Sequence, residues 1–389
     1  MNTSAQREKT ATCVVIGSTG SIGTQTLQVI DRLSARGYGM RVVGLAARSH
    51  PSFIQQLKTY RPAGYCFERP LTGIPETARR YGAVEEMLDA LHPDMTMIAS
   101  SGGISLSYAL KALETSKRLC LANKESVVLG GRLIPERAKA LGKELIPVDR
   151  EHRGMFQLFL GSDRKEIRKV YITASGGALR DWDESRKENA SVEQVLRHPN
   201  WQMGAKITVD SATLMNKALE MIEAKFLFDL PKETIAAAFC HNSFVHAVLA
   251  YWDGHFKIHA GPPDMRIPIA YSLTYPERVS VLEENGTAVE DPRSLFEPMI
   301  LKPADTAVHP PLRLAQAVID APSSLRIALN AANEAAVLLF LQRKVTFGEL
   351  TRLVERTVLS QEAYEVTELS QILELHEGIK RRVELDYSC

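Results

Sequence analysis

Long apolar runs, paired cysteines and a surplus of either charge are all missing from this chain, and each absence excludes something. No stretch approaches the roughly 18 to 20 consecutive apolar residues that cross a bilayer. The opening MNTSAQREKTA is polar, without the apolar centre of a secretion signal. A protein that works away from membranes, in the cytoplasm, is the expectation. The 5 cysteines, Cys13, Cys66, Cys120, Cys240 and Cys389, are scattered with no C-x-x-C pair, which argues against a disulfide framework or a zinc knuckle and for a reducing compartment. Lys and Arg total 47 against 46 Asp and Glu, so no overall field draws in nucleic acid or an anionic surface, and a small-molecule partner is expected.

What is present is an ordinary globular mixture, 45% hydrophobic and 24% charged, in a chain of 389 residues, enough for two or three domains. Residues 12–17, TCVVIG, form a β-branched run that breaks into glycines and continues as TQTLQVIDRLSARG, with apolar residues at helical spacing. Gly17, Gly20 and Gly23 follow the pattern G-x-x-G-x-x-G, a variant of the dinucleotide fingerprint, in which missing Cβ atoms let a pyrophosphate reach N–H groups at a helix N-terminus. A tight turn with no ligand has the same spacing. A second strand, RVVGLAARSH, ends without the acid that binds the ribose hydroxyls of NAD. Ala47, Arg48 and Ser49 stand there instead; a cation beside a hydroxyl suits the 2′-phosphate of NADP, with a solvated arginine as the plain alternative. Further apolar runs at 94–103, 117–126 and 143–149 end in small or polar residues. They predict a Rossmann-type, doubly wound parallel sheet whose strand ends gather Ser100, Asn123, Lys124, Glu125 and Asp149.

Asp149 and Glu151 lie two apart after an apolar run, so in extended chain their carboxylates project to one side and suit a hard cation, although paired acids are also common on solvated loops. Downstream, a hydroxyl-rich turn, VDSAT, is expected to lead into a helix on which Asn216 and Glu220 share a face with Lys217 beside them. Hydroxyls, amide and ammonium suit a phosphate, and Glu220 completes a carboxylate set. The same residues also fit the wet side of an amphipathic helix.

Ordered blocks along nearly the whole length resemble the 1-deoxy-D-xylulose 5-phosphate reductoisomerase family. They are GSTGSIGTQTL at 17–27, LANKES at 121–126, PVD-x-EH at 147–152, ASGG at 174–177, HPNW at 198–201, MGAKITVDSATLMNKALEMIEA at 203–224, PDMRIPIAY at 263–271 and LNAANEAAV at 329–337. The resemblance implies an NADPH-dependent homodimeric enzyme that isomerises a phosphorylated ketose by retroaldol and aldol steps and then reduces the branched aldehyde. It implies a divalent metal (magnesium, manganese or cobalt) on Asp149, Glu151 and Glu220, and a phosphate pocket from Ser175, Ser211, Asn216 and Lys217. His198 and Trp201 would belong to a mobile flap over the substrate, with Lys124 beside it. Thr19, Gly20, Ser21, Ile22, Asn123 and Glu125 would hold the cofactor, with Met203 near the nicotinamide.

Two stretches depart from the family pattern. Its metal loop reads Asp-Ser-Glu-His-Asn, where this chain has Asp149, Arg150, Glu151, His152 and Arg153. The replaced serine contacts substrate, so Arg150 is counted with the substrate-binding residues. A cation about 5 Å from a divalent metal is opposed by roughly 6 to 7 kcal/mol at an effective dielectric of about 20. Arg150 therefore points away, pairs with an anion or displaces the metal. At 241–246, HNSFVH replaces the usual His-Pro-Gln-Ser stretch, keeping His241 and Ser243. Two other readings stay open: a paralogue acting on a related phosphate or phosphonate with an extra negative group for Arg150 or Arg153, and a catalytically silent NADPH-binding regulator.

The expected order is an NADPH-binding domain over 1–149, a central α/β catalytic domain over 150–277 and a connecting segment over 278–308 with Pro292, Pro298 and Pro303. A small helical domain over 309–389 follows, from patterns such as LRLAQAVIDA and LNAANEAAVLLFLQR.

Overall fold

Strand β1 (Ala11–Ile16) is the β-branched run after the polar start, and alternate residues feed two different cores. Cys13 and Val15 join Leu27, Leu45 and Phe53 on one face, while Val14 and Ile16 join Leu88, Leu106 and Leu113 on the other. A strand buried on both faces reads as continuous apolar sequence, which is why these runs lack alternation. The architecture comes from a computed structural model that describes residues 10–198, 203–282 and 299–387.

The chain continues through α1 (Ser21–Ala35), β2 (Met40–Ala47), α2 (Ser52–Tyr60), β3 (Gly64–Phe67), β4 (Arg79–Tyr81), α3 (Val84–Leu91), β5 (Met95–Ile98), α4 (Ser105–Thr115), β6 (Arg118–Leu121), α5 (Lys124–Gly130), α6 (Leu133–Ala140) and β7 (Glu144–Pro147). These strands make one seven-stranded sheet in the order β4-β3-β2-β1-β5-β6-β7, with every pairing parallel. The chain works outward from β1 to β4 and then returns to place β5 on the other side of β1. That reversal opens a crevice at the strands' carboxyl ends, the expected place for a ligand.

A second sheet follows: β8 (Ile167–Ala174), β9 (Ile235–Phe239), β10 (Val245–Tyr251), β11 (Phe256–Ala260) and β12 (Lys302–Pro303), in the order β11-β10-β8-β9-β12. Only β8 and β9 pair in parallel. Its helices are α7 (Arg150–Phe159), α8 (Glu184–Lys187), α9 (Val192–Val195), α10 (Ala205–Thr213), α11 (Met215–Phe228) and α12 (Arg266–Thr274). Helix α12 turns back to the first sheet, where Ile269 and Leu273 enter the core with Leu27 and Ile30. Arg118 fastens this return by donating to the carbonyls of Leu273 (2.9 Å) and Tyr275 (2.6 Å). The connecting segment holds Pro303 in β12, while Pro292 and Pro298 lie outside the described residues.

Four helices close the chain: α13 (Pro310–Val318), α14 (Ser323–Leu341), α15 (Phe347–Ser360) and α16 (Leu369–Leu385). Among the described residues, α14 is long and apolar enough to span a membrane, but 78% of its apolar window is buried inside the protein. Ala328, Ala331, Ala332 and Ala335 let neighbouring helices come close, and its residues share a core with the second sheet.

Candidate active site

The glycine turn is built by close backbone approach. Gly17 has φ +81°, and a Cβ there would stand 2.5 Å from the Ser100 nitrogen; a Cβ on Gly23 would stand 2.2 Å from the Gly17 oxygen. Only glycine fits either place. Ser18 is locked to Gln56, donating to its Oε1 (2.7 Å) while its carbonyl accepts from Nε2 (2.8 Å). Gly20 caps α1 without a side-chain hydrogen bond, and no acid stands in the first turn. Thr19, Gly20, Ser21 and Ile22 thus surround a helix N-terminus suited to an anion. Ala47 ends β2, and Arg48 and Ser49 follow it, both exposed, at the same edge of the sheet.

Asn123 caps α5 by accepting from the Ser126 N–H (2.7 Å), and its amide donates to the Ser100 carbonyl (2.9 Å) and to Glu125 (3.0 Å). The cap aims Lys124 into a cleft lined by Ser21, Ile22 and Gln25 from α1, by Asp149, Glu151 and Arg150, and by Met203, Asn216 and Glu220. Residues proposed for cofactor, metal and substrate therefore meet in one place.

The acids reach it by a different local geometry from the extended one. Asp149 is the N-cap of α7 and accepts from the Arg150 N–H (2.9 Å), and Glu151 lies in that helix's first turn. An Asp after an apolar strand is a strong cap, and capping outweighs extension. The residues VDSAT also differ from expectation. They are the body of α10, and the break is at Leu214, whose φ of +66° separates α10 from α11. The shared face of α11 is as expected, with Asn216 donating to Glu220 (2.6 Å).

Asp149, Glu151 and Glu220 bring carboxylate oxygens within 4.8 Å of one another. Lys124 donates to Asp149 (2.6 Å), Glu220 (2.8 Å) and the Asn216 side-chain Oδ1 (2.8 Å), and Lys217 donates to Glu151 (3.1 Å) and to Glu220. Burial raises the Glu151 carboxyl and the Glu220 charge raises it further, against the pull of Lys217. Burial also works against the charged form of Asp149, yet Lys124 and His152 hold its carboxyl below the ordinary range. Three crowded carboxylates of hard oxygen fit a divalent cation, and the buried ammonium groups are their present counter-charges. Behind them His152 donates to the Glu220 carbonyl (3.0 Å) and stands 3.2 Å from Glu223, whose carboxyl burial pushes well up. The motif contained His152, but nothing in its spacing pointed to this support.

A second cavity adjoins the first, and Arg150, Glu151, Met203 and Asn216 line both. It holds Ser175, Ser211 and Lys217 together with Ser243 and His246. His198 Nε2 lies 3.2 Å from the Ser175 hydroxyl and 3.4 Å from that of Ser211. Burial, then the fields of Arg180 and Arg150, depress its ring to about 4, so it is neutral near pH 7. Trp201 lies outside the described residues. The two loop arginines separate here. Arg153 is buried with its guanidinium 4.2 Å from the centre of the Tyr271 ring, so it braces α12 instead of facing an anion. Arg150 is on the cavity wall. The altered 241–246 stretch forms a tight turn in which Ser243 (φ +57°) donates its N–H to the Cys240 carbonyl (2.9 Å). His246, buried at the cavity, was not signalled by any motif.

Comparison with known proteins agrees along the chain. Residues 13–131 match the model for 1-deoxy-D-xylulose 5-phosphate reductoisomerase, residues 145–228 that for the C-terminal domain of the same enzyme, and residues 260–382 that for the DXP reductoisomerase C-terminal domain. A 1-deoxy-D-xylulose 5-phosphate reductoisomerase of Thermotoga neapolitana is 40% identical over 377 residues, covering 96% of each chain. That of Thermotoga maritima is also 40% identical, over 95% of this chain and 96% of the relative. Among solved structures, a DOX-P reductoisomerase in complex with NADPH, fosmidomycin and magnesium superposes with a TM-score of 0.85 at 31% identity, covering 97% of this chain and 98% of that one. The reductoisomerase of Zymomonas mobilis in complex with NADPH gives 0.84 at 30% identity, covering 98% of this chain and all of that one.

Proposed function

This chain belongs to the 1-deoxy-D-xylulose 5-phosphate reductoisomerase family, and from that premise we propose how its own residues divide the work of the reaction. It is an NADPH- and divalent-metal-dependent oxidoreductase that converts 1-deoxy-D-xylulose 5-phosphate into 2-C-methyl-D-erythritol 4-phosphate. The observation that carries the assignment of residues is one cleft shared by the glycine turn's helix, the three-carboxylate cluster and Lys124.

Residues 1–149 serve the cofactor, 150–277 the metal and substrate; 278–308 connect them to the bracing helices of 309–389. Thr19, Gly20, Ser21 and Ile22 bind the pyrophosphate, Ala47, Arg48 and Ser49 the 2′-phosphate, and Asn123 and Glu125 shape the wall next to it. Met203 packs by the nicotinamide. Asp149, Glu151 and Glu220 hold the metal, which supplies Lewis-acid stabilisation of negative charge on adjacent substrate oxygens. Lys124 gives the same oxygens a hydrogen-bond donor. Ser175, Ser211, Asn216 and Lys217 grip the phosphate, and neutral His198 joins them with a ring hydrogen bond, the flap role implied for His198 and Trp201 being to shut out water. Arg150, which lines both cavities, adds a second cation to the pocket that holds Lys217 and steadies the phosphate.

The exposed edge of β11 supports a homodimer. Phe256 and Ile258 on that strand are 58% and 46% exposed, and Trp252 in the preceding turn is 70% exposed. An open apolar edge strand is a template for a second copy. A cytoplasmic location suits the free cysteines, of which Cys13, Cys120 and Cys240 are buried.

The test is NADPH oxidation by the purified protein with 1-deoxy-D-xylulose 5-phosphate and Mg²⁺ or Mn²⁺. Turnover that stops with EDTA and returns with metal is expected. No turnover from protein that still binds NADPH would overturn the reading and favour the paralogue.

A further inference from the structure

Lys206 on α10 is absent from every role so far assigned, yet its ammonium is held on two sides. It donates to Glu125 Oε1 (3.0 Å) at the start of α5 and to Asp210 Oδ2 (2.7 Å), one turn along its own helix. Both acids are almost wholly buried. Each is fixed from its far side as well. Glu125 accepts from Asn123, which in turn ties the Ser100 carbonyl behind the glycine turn. Asp210 accepts through Oδ1 from the buried Asn333 amide of α14 (2.8 Å). A continuous path therefore runs from the β5 loop through Asn123, Glu125, Lys206 and Asp210 into the C-terminal helices. Although burial works against its charge, Asp210 and Glu125 keep the Lys206 ammonium above the ordinary lysine range.

The two ends of this path carry different ligands under the proposed function, on which the inference rests. Glu125 follows Lys124 at the cofactor wall, and Asp210 directly precedes Ser211 of the phosphate pocket. We propose that Lys206 is a positioning residue that couples the NADPH site to the phosphate site, by holding α10 against the N-terminus of α5. Without its ammonium, Glu125 and Asp210 are left as buried acids with no cation between them, a costly arrangement that is relieved by parting the helices or admitting water. Either change moves Ser211 relative to the cofactor. Binding one ligand on the native latch orders the wall that the other ligand needs, so the second binds more tightly, and by linkage the effect is reciprocal.

The experiment is calorimetric titration of inorganic phosphate into the full-length protein, with and without saturating NADPH and with no metal added, so that no turnover is required. In the unmodified protein NADPH is expected to tighten phosphate about tenfold or more. In Lys206→Met that factor should fall to within about twofold, while Lys206→Arg, which keeps the charge and reaches both acids, should restore most of it. A general loss of structure would not be rescued in this way. If Lys206→Met does not fold, Asp210→Asn breaks the latch while leaving the Lys206–Glu125 pair, and the same fall is expected. An NADPH effect of equal size in the variants and the unmodified protein, or no effect in the unmodified protein, overturns the coupling while leaving the enzyme assignment intact. Failure of the unmodified protein to bind either ligand would overturn both.

Discussion

At the scale of single residues, Glu220 is engaged by Lys124, Lys217 and Asn216 at once, and it is the one acid of the three placed within a helix body. Glu220→Gln keeps the shape and removes the charge. It is expected to lower kcat by about a thousandfold or more, on the scale of losing an essential electrostatic group, with NADPH affinity nearly unchanged in fluorescence titration. Surviving turnover would remove the metal from this cluster. Arg48→Ala separates the two nicotinamide cofactors: an exposed cation on a phosphate is worth on the order of 1–2 kcal/mol, so NADPH should weaken about tenfold and NADH hardly at all. Equal weakening would assign Arg48 to the shared part of the cofactor. Arg150→Ser should raise the KM for the phosphorylated substrate and leave that for NADPH alone; a gain of activity would instead mark the arginine as an obstacle at the metal.

At the scale of elements, the glycine turn and α1 act as one unit. Gly23→Ala puts a methyl group 2.2 Å from the Gly17 oxygen, and neighbouring backbone cannot yield cheaply. NADPH binding should fall by more than tenfold while phosphate binding persists, which paired titrations would show. Helix α15 starts with a full capping box, Thr346 accepting from the Glu349 N–H and Glu349 from that of Thr346. Thr346→Ala should cost about 1 kcal/mol of stability in denaturant titration without touching activity. The strand–turn–helix unit was legible because apolar runs, glycine spacing and helical periodicity agree locally. The metal loop and VDSAT depart from expectation for different reasons: capping by Asp149 is a local signal that outweighs extension, whereas the packing of α10 is settled by what lies next in space, beyond the range of a five-residue pattern.

At the scale of the whole molecule, the second sheet holds a buried His246 against a half-buried His259, a pair that makes stability depend on pH. The His246 and His259 rings lie 5.5 Å apart; burial, then Arg150, holds His246 well below the ordinary histidine range, and burial with Arg153 and Arg278 lowers His259 to about 4. Each folded value is below the unfolded one, so the unfolded chain binds more protons between about pH 6.5 and 4 and stability is lost as pH falls through that window. The melting temperature should decline from pH 7 to pH 4.5, and His259→Gln should flatten part of the decline; a flat profile would show that the folded rings take up protons as readily as the unfolded ones. Ile258→Lys on the open edge of β11 should shift the mass measured by light scattering towards the monomer, and an unchanged mass would place the dimer contact elsewhere.

The sequence by itself determined the apolar runs that form β1, β2, β5, β6 and β7, the glycines at Gly17 and Gly23, and the shared face of Asn216 and Glu220, because each depends on neighbours within one turn or one strand. Its ordered blocks also marked which side chains to watch. Only the tertiary structure decided how they meet: Asp149, Lys124 and Glu220 come from three elements, and their distances depend on how the two sheets pack. It likewise separated Arg150 from Arg153, which are three residues apart and so nearly a full helical turn from each other, one on a cavity wall and one under a tyrosine ring. The Lys206 latch belongs wholly to that level, since a lysine's partners are chosen by the dry space around its ammonium and not by the residues beside it in the chain.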